Sequence, residues 1–159
     1  MKSKIKKLSK IIKCALLYIY YFLYCKLKKI NNSDVWLLSE RGTDARDNAY
    51  HLYKYLKNNH KEIKIKYVID KNSVDSKKIN DEDIINYGSK EHFILFITAG
   101  KLISTHIMGF SPDMSLFWRL NKINLLKVHG KKIMLQHGIT QNYIEILNAK
   151  NSKLDLFIL

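Results

Sequence analysis

At 159 residues, with 47% hydrophobic and 26% charged side chains, the chain has a globular composition, which excludes a disordered or fibrous polymer and suits one domain of ordinary core size plus an appendage. The formal charge of +14 is unevenly spread: nine lysines (2, 4, 6, 7, 10, 13, 26, 28 and 29) and no acidic residue fall in residues 1–29, so the rest is only mildly basic, which argues against nucleic acid as partner. The two cysteines, Cys14 and Cys25, form neither a disulfide framework nor a zinc spacing, and no metal site is expected.

The first element, residues 1–30, is read as a basic, apolar, membrane-associating helix. Its centre, Cys14 to Cys25, is apolar and tyrosine-rich and lies between Lys10, Lys13 and Lys26, Lys28, Lys29. A spanning helix needs about twenty predominantly apolar residues, and extending this run to that length takes in a lysine. Tyrosines favour the headgroup level and lysines attract anionic lipid, so an anionic membrane surface is the expected partner, with tilted insertion as a variant. The alternative is a soluble helix packed on the domain. No small-residue cleavage site follows the run.

After a polar break at 30–34, residues 34–159 alternate strand-like and helix-like segments as βαβ units do. Residues 35–39 form a short apolar strand, 40–47 a polar loop, and Tyr50, Leu52, Tyr53 and Leu56 recur at helical spacing. Residues 63–69 alternate as a strand ending at Asp70, and 84–88 give a shorter one. Ser89 caps a helix with His92, Phe93, Leu95, Phe96 and Ile97 as its apolar body, and Gly100 is read as the helix end before the strand 101–106. A turn at 109–113, a short helix or excursion over 116–126, a buried strand ending at His137, a short helix near 143–147 and a final strand at 154–159 complete the pass. Five or six strands with interleaved helices predict an α/β, Rossmann-like parallel sheet. The absence of a G-x-G-x-x-G or Walker-type loop after any strand argues against a dinucleotide or P-loop nucleotide, and no cofactor is expected.

Three polar clusters fall at strand ends, the edge where ligands bind in open α/β sheets. The first, from Ser39 to Asn48, carries Arg41 and Arg46 beside a helix start. Guanidinium forks and free backbone N–H groups both favour phosphate there, while pairing of the arginines with Glu40, Asp44 and Asp47 is the alternative. The second is Ser104-Thr105-His106, whose histidine either binds phosphate, orients the first cluster or is structural. The third is Gln136-His137-Gly138, where the glycine permits a sharp turn and a neutral imidazole suits proton removal from an alcohol near pH 7. His51, His60, His92 and His129 are read as structural or exposed.

The run Ser39-Glu40-Arg41-Gly42-Thr43-Asp44-Ala45-Arg46-Asp47-Asn48-Ala49-Tyr50, then Ile103-Ser104-Thr105-His106, then Leu135-Gln136-His137-Gly138-Ile139 resembles, in that order, the CDP-glycerol glycerophosphotransferase family, which builds teichoic-acid-like and capsular polymers. The likeness runs from about Val35 to Leu159. It implies the N-terminal half of a two-domain GT-B-type glycosyltransferase, peripheral attachment to the cytoplasmic face of the bacterial membrane, and metal-independent transfer of glycerol phosphate from CDP-glycerol to an acceptor hydroxyl on a polyol-phosphate polymer or glycolipid. It implies His137 as the catalytic base; Arg41, Arg46, Asn48, Ser104, His106, Gln136 and Gly138, at the polar strand ends, are the candidate substrate- or phosphate-binding residues. Many family members carry His-Gly-Thr-Pro, where this chain has His137-Gly138-Ile139-Thr140. The donor-gripping half is not seen in the sequence, so a fragment inactive by itself is expected. The other readings are a transferase using a different nucleotide-activated sugar, and a non-catalytic membrane-binding protein.

Overall fold

The structure, a computed structural model, describes residues 2–136 and 152–158, with side chains from Leu8 onward. His137, Gly138 and the helix expected near 143–147 lie outside the described residues.

Helix α1 (Lys2–Leu27) leads through a tight turn into β1 (Asn32–Ser39). Lys29 adopts the left-handed conformation at φ 51°, Ile30 N–H donates to the Cys25 carbonyl at 3.0 Å, and Lys29 N–H donates to that of Lys26 at 3.3 Å. This paired closure stops the helix and reverses the chain onto the sheet. There follow α2 (Asn48–Asn59), β2 (Lys64–Ile69), two 3₁₀ turns, β3 (Ile84–Asn86), α3 (Lys90–Thr98), β4 (Ala99–Ser104), α4 (Met114–Lys122), β5 (Lys131–Leu135) and β6 (Leu156–Ile158). The strands form one six-stranded parallel sheet in the order β3-β2-β1-β4-β5-β6, the α/β, Rossmann-like architecture expected from the sequence.

Because successive strand residues face opposite sides, β1 divides its side chains between two cores. Val35 and Leu37 enter a cluster with Phe93, Phe96 and Phe117 beneath α1, α3 and α4, while Leu38 joins Tyr53, Leu56, Ile103 and Ile133 beneath α2. The inner face of α1 is part of the first core. Cys14, Tyr18 and Cys25 are buried, and the Tyr18 ring meets Phe117 edge-on at 5.1 Å between centroids. The Tyr18 hydroxyl donates to the Lys127 carbonyl at 2.8 Å and accepts from its N–H at 2.9 Å, tying α1 to the loop between α4 and β5. The helix therefore packs on the domain along one side, as the soluble-helix alternative required, while its other side stays exposed.

Ser89 caps α3 as expected, its hydroxyl accepting from His92 N–H. Several boundaries differ from expectation: β1 begins at Asn32, inside the stretch read as a polar break, β3 ends at Asn86 and β4 at Ser104, and two further differences have a visible cause. β4 begins at Ala99, directly after α3, so Gly100 is a strand residue and not the end of a helix. Its role is steric: a Cβ at this position would collide with the Ser33 carbonyl of β1, where the β1–β4 register is irregular. Helix α4 starts at Met114 because Asp113 caps it, its carboxylate accepting from Leu116 N–H at 2.9 Å.

Candidate functional site

The strand order reverses beside β1, whose neighbours are β2 on one side and β4 on the other. Loops leaving the carboxyl ends of β1 and β4 diverge to opposite faces there and leave a crevice, the usual ligand site of such sheets. Ser39 and Ser104 are register partners at this point, so the clusters around Arg41 and His106 leave the sheet side by side.

Glu40 shapes the first loop. Its side chain is only 1% exposed, and its carboxylate accepts from the Arg46 N–H at 3.1 Å and from the Asp47 N–H at 2.7 Å. The loop over residues 41–47 is thereby folded back on the end of β1. Asp47 in turn accepts from Asn48 N–H at 2.8 Å at the start of α2. Of the N–H groups at this helix start, that of Asn48 is thus engaged by a carboxylate of the protein itself, and those of Arg46 and Asp47 just before it by Glu40.

The two arginines have different fates. Arg46 donates through Nε to Asp75 at 3.0 Å and lies 3.0 Å from Asp75 and 3.2 Å from Asp44 through its terminal nitrogen. Asp75 is buried; its hydrogen bond from Lys78, and then its contacts to the Ala45 N–H and to Arg46, hold its carboxyl below the usual carboxylate range. Arg46 therefore fits the surface-pairing alternative, with Asp75 as a partner that no local reading of the sequence supplies. Arg41 is exposed, forms no ion pair among the described residues, and donates through Nε to Nε2 of His106 at 2.8 Å. That bond uses the Nε2 lone pair, so the imidazole proton sits on Nδ1, 3.1 Å from the Thr105 hydroxyl.

Ser104 is fully buried. Its hydroxyl donates to the Glu40 carbonyl and accepts from the His106 N–H, each at 3.1 Å, so it locks the two strand ends together. Gly109 allows the close approach, since a Cβ there would meet both the Glu40 carbonyl and the Ser104 hydroxyl. Glu40, Arg41, Asp44, Arg46, Asp47 and His106 line a cavity of about 280 Å³. At its flank, the Asn48 side-chain amide donates to the Gln136 carbonyl, which fixes the end of β5 against the start of α2. Gln136 is covalently next to His137. The structure thus brings Arg41, Arg46, His106, Ser104 and Glu40 together, ties Asn48 to Gln136, and leaves His137 and Gly138 outside the described residues.

Of the other histidines, His92 is completely buried. Its Nδ1 accepts from Gly88 N–H at 3.0 Å, its Nε2 lies 3.0 Å from the Phe110 carbonyl, and burial lowers its pKa from 6.5 to about 4. It braces the turns after β3 and β4. Among the described residues no group of three His, Cys, Asp or Glu side chains is placed to hold a metal ion.

Comparison with known proteins bears on the same span. The minor teichoic acid biosynthesis protein GgaB of Bacillus subtilis (strain 168) is 34% identical over 136 residues, a stretch covering 80% of this chain and 14% of that protein. The chain thus spans a small part of that relative's length. No solved structure matches it. Residues 19–155 match the family described as CDP-glycerol:poly(glycerophosphate) glycerophosphotransferase, a span that reaches from within α1 to the residue before β6 and takes in all three polar strand ends. The chain belongs to that family.

Proposed function

We propose that the protein serves in transfer of glycerol phosphate from CDP-glycerol to a hydroxyl of a polyol-phosphate polymer or glycolipid, in teichoic acid or capsule synthesis at the cytoplasmic face of the bacterial membrane. Family membership supports the reaction class, and the name of the Bacillus subtilis relative favours teichoic acid. The structural observation that carries the reading is the Arg41–His106 contact at the switch point, which sets a guanidinium and an imidazole at the edge where β5 delivers the chain to His137.

In the proposed step His137 takes the proton of the acceptor hydroxyl as its oxygen attacks the glycerol-bearing phosphorus of CDP-glycerol in line. The new O–P bond forms, the bond to the bridging oxygen breaks, and CMP leaves. Arg41 offsets charge on the phosphoryl oxygens or on a phosphate-rich acceptor. In this reading residues 34–159 act as the acceptor-side lobe of a two-lobed, GT-B-type enzyme, with most of the donor contacts on a second lobe.

The test is a donor panel: radiolabelled CDP-glycerol against UDP-sugars, with an oligo(glycerol phosphate) acceptor and the polypeptide read from the gene through its natural stop codon. Label incorporation from CDP-glycerol alone is expected. Incorporation from a UDP-sugar instead would move the protein to a different transferase class.

A further inference from the structure

Helix α1 has two apolar sides, and only one is used by the fold. Cys14, Tyr18 and Cys25 are buried against the domain, whereas Leu8, Ile12, Leu16, Ile19, Leu23 and Leu27 are each more than half exposed. At 3.6 residues per turn these six positions fall within an arc of about 100°, nearly opposite the buried three. A second exposed apolar element lies in the loop against which the helix is docked. In the loop between α4 and β5, Ile123 and Leu125 are 60% and 61% exposed, between the exposed Lys122 and Lys127. This loop is held along the flank of α1 by both hydrogen bonds of the Tyr18 hydroxyl, and Phe22, Cys25 and Lys26 share with Leu126 and Val128 a groove of about 350 Å³.

We infer that the membrane contact is a two-element surface, in which the outer stripe of α1 and the Ile123–Leu125 loop enter the interface of an anionic bilayer together. This inference rests on the membrane reading above and names its surface. The occupant follows from charge and shape: aliphatic side chains bordered by lysines, with no acidic residue in residues 1–33 or 114–133, match acyl chains beneath anionic headgroups. The stretch Leu8–Leu27 has the length and composition to cross a bilayer. Spanning, however, would strip Tyr18 from Lys127 and Phe117 and open the core beneath α3 and α4, so α1 lies in the interface plane instead.

Orientation follows. Cys25 shares its groove with Ile97 and Thr98, just before the start of β4, and α1 turns directly into the start of β1. The C-terminal end of the helix therefore sits at the amino edge of the sheet, and the helix crosses the face that holds Phe93, Phe96 and Phe117. With α1 flat on the membrane, the edge carrying Arg41 and His106 opens along the headgroup layer, within reach of a membrane-bound acceptor.

The experiment is co-sedimentation of the 159-residue chain with vesicles of phosphatidylglycerol and phosphatidylcholine in equal parts, against phosphatidylcholine alone. The chain is expected to bind the anionic vesicles. The pair Ile123→Asp/Leu125→Asp is expected to weaken binding at least tenfold, and Leu16→Asp/Leu23→Asp to abolish it, with thermal unfolding unchanged because all four sites are exposed. Serine at the same positions replaces aspartate if a variant fails to fold. Unaltered binding by the loop pair, with the parent chain bound, overturns the two-element surface and leaves the membrane reading intact. Unaltered binding by the helix pair overturns the outer stripe as the contact. Failure of the parent chain to bind overturns the membrane reading itself.

Discussion

Glu40 decides what the candidate site looks like more than either arginine does. A carboxylate 1% exposed is held by two backbone N–H groups of the loop it encloses, so the loop cannot relax without leaving a charge buried. Glu40→Ala is expected to cost about 2–3 kcal/mol in urea unfolding, the range for losing hydrogen bonds to a charged group. Loss below about 0.5 kcal/mol would show that the loop holds itself. The sequence flagged Arg41 and Arg46 as equals because both stand near a helix start. The fold separates them through residues 65 and 29 positions away, His106 and Asp75, which no spacing rule could pair.

His92 adds a pH signature. In the unfolded chain it protonates near 6.5 and in the folded chain near 4, so between those values the unfolded state binds the extra proton and stability falls as the pH drops. The share of His92 in the loss between pH 7 and pH 5 is about 2 kcal/mol. Urea titrations at both values should show that difference shrinking in His92→Gln; an unchanged difference would assign the pH dependence elsewhere.

Among the elements, the strands were legible because a parallel sheet buried on both faces writes itself as short apolar runs, and Val35–Leu38 and Ile133–Leu135 are such runs, while residues 63–69 were legible by their alternation. What was not legible depended on close approach between distant backbones. Gly100 reads as a helix end in sequence and proves to be the place where β4 crowds Ser33 of β1. Helix α1 was legible as apolar and basic, yet an apolar stretch interrupted on few sides does not say which face the protein keeps. The Tyr18 hydroxyl makes that choice by bonding both backbone groups of Lys127. Tyr18→Phe is therefore expected to lower stability by about 1–2 kcal/mol and to speed amide exchange at Lys127. Unchanged exchange at that amide would mean that ring packing alone docks the helix.

On the scale of the whole molecule, the sheet sets a polar crevice at its switch point, helix α1 along one face, and the end of β5 beside the crevice. The first of these followed from three polar strand ends in sequence, since a parallel α/β sheet puts all its carboxyl ends on one edge. The meeting of Arg41 with His106 needed the strand order, which brings β1 and β4 together across the intervening β2 and β3. The proposed chemistry assigns the base to His137, and a general base is worth about 10²–10⁴-fold in rate. The most direct measurement is the turnover of CDP-glycerol with oligo(glycerol phosphate) by the polypeptide read through its natural stop codon, comparing the parent with His137→Ala. A fall of about 10²–10⁴-fold in kcat with little change in donor KM is the expected result; equal turnover by the two proteins would contradict the assignment of this edge as the catalytic one.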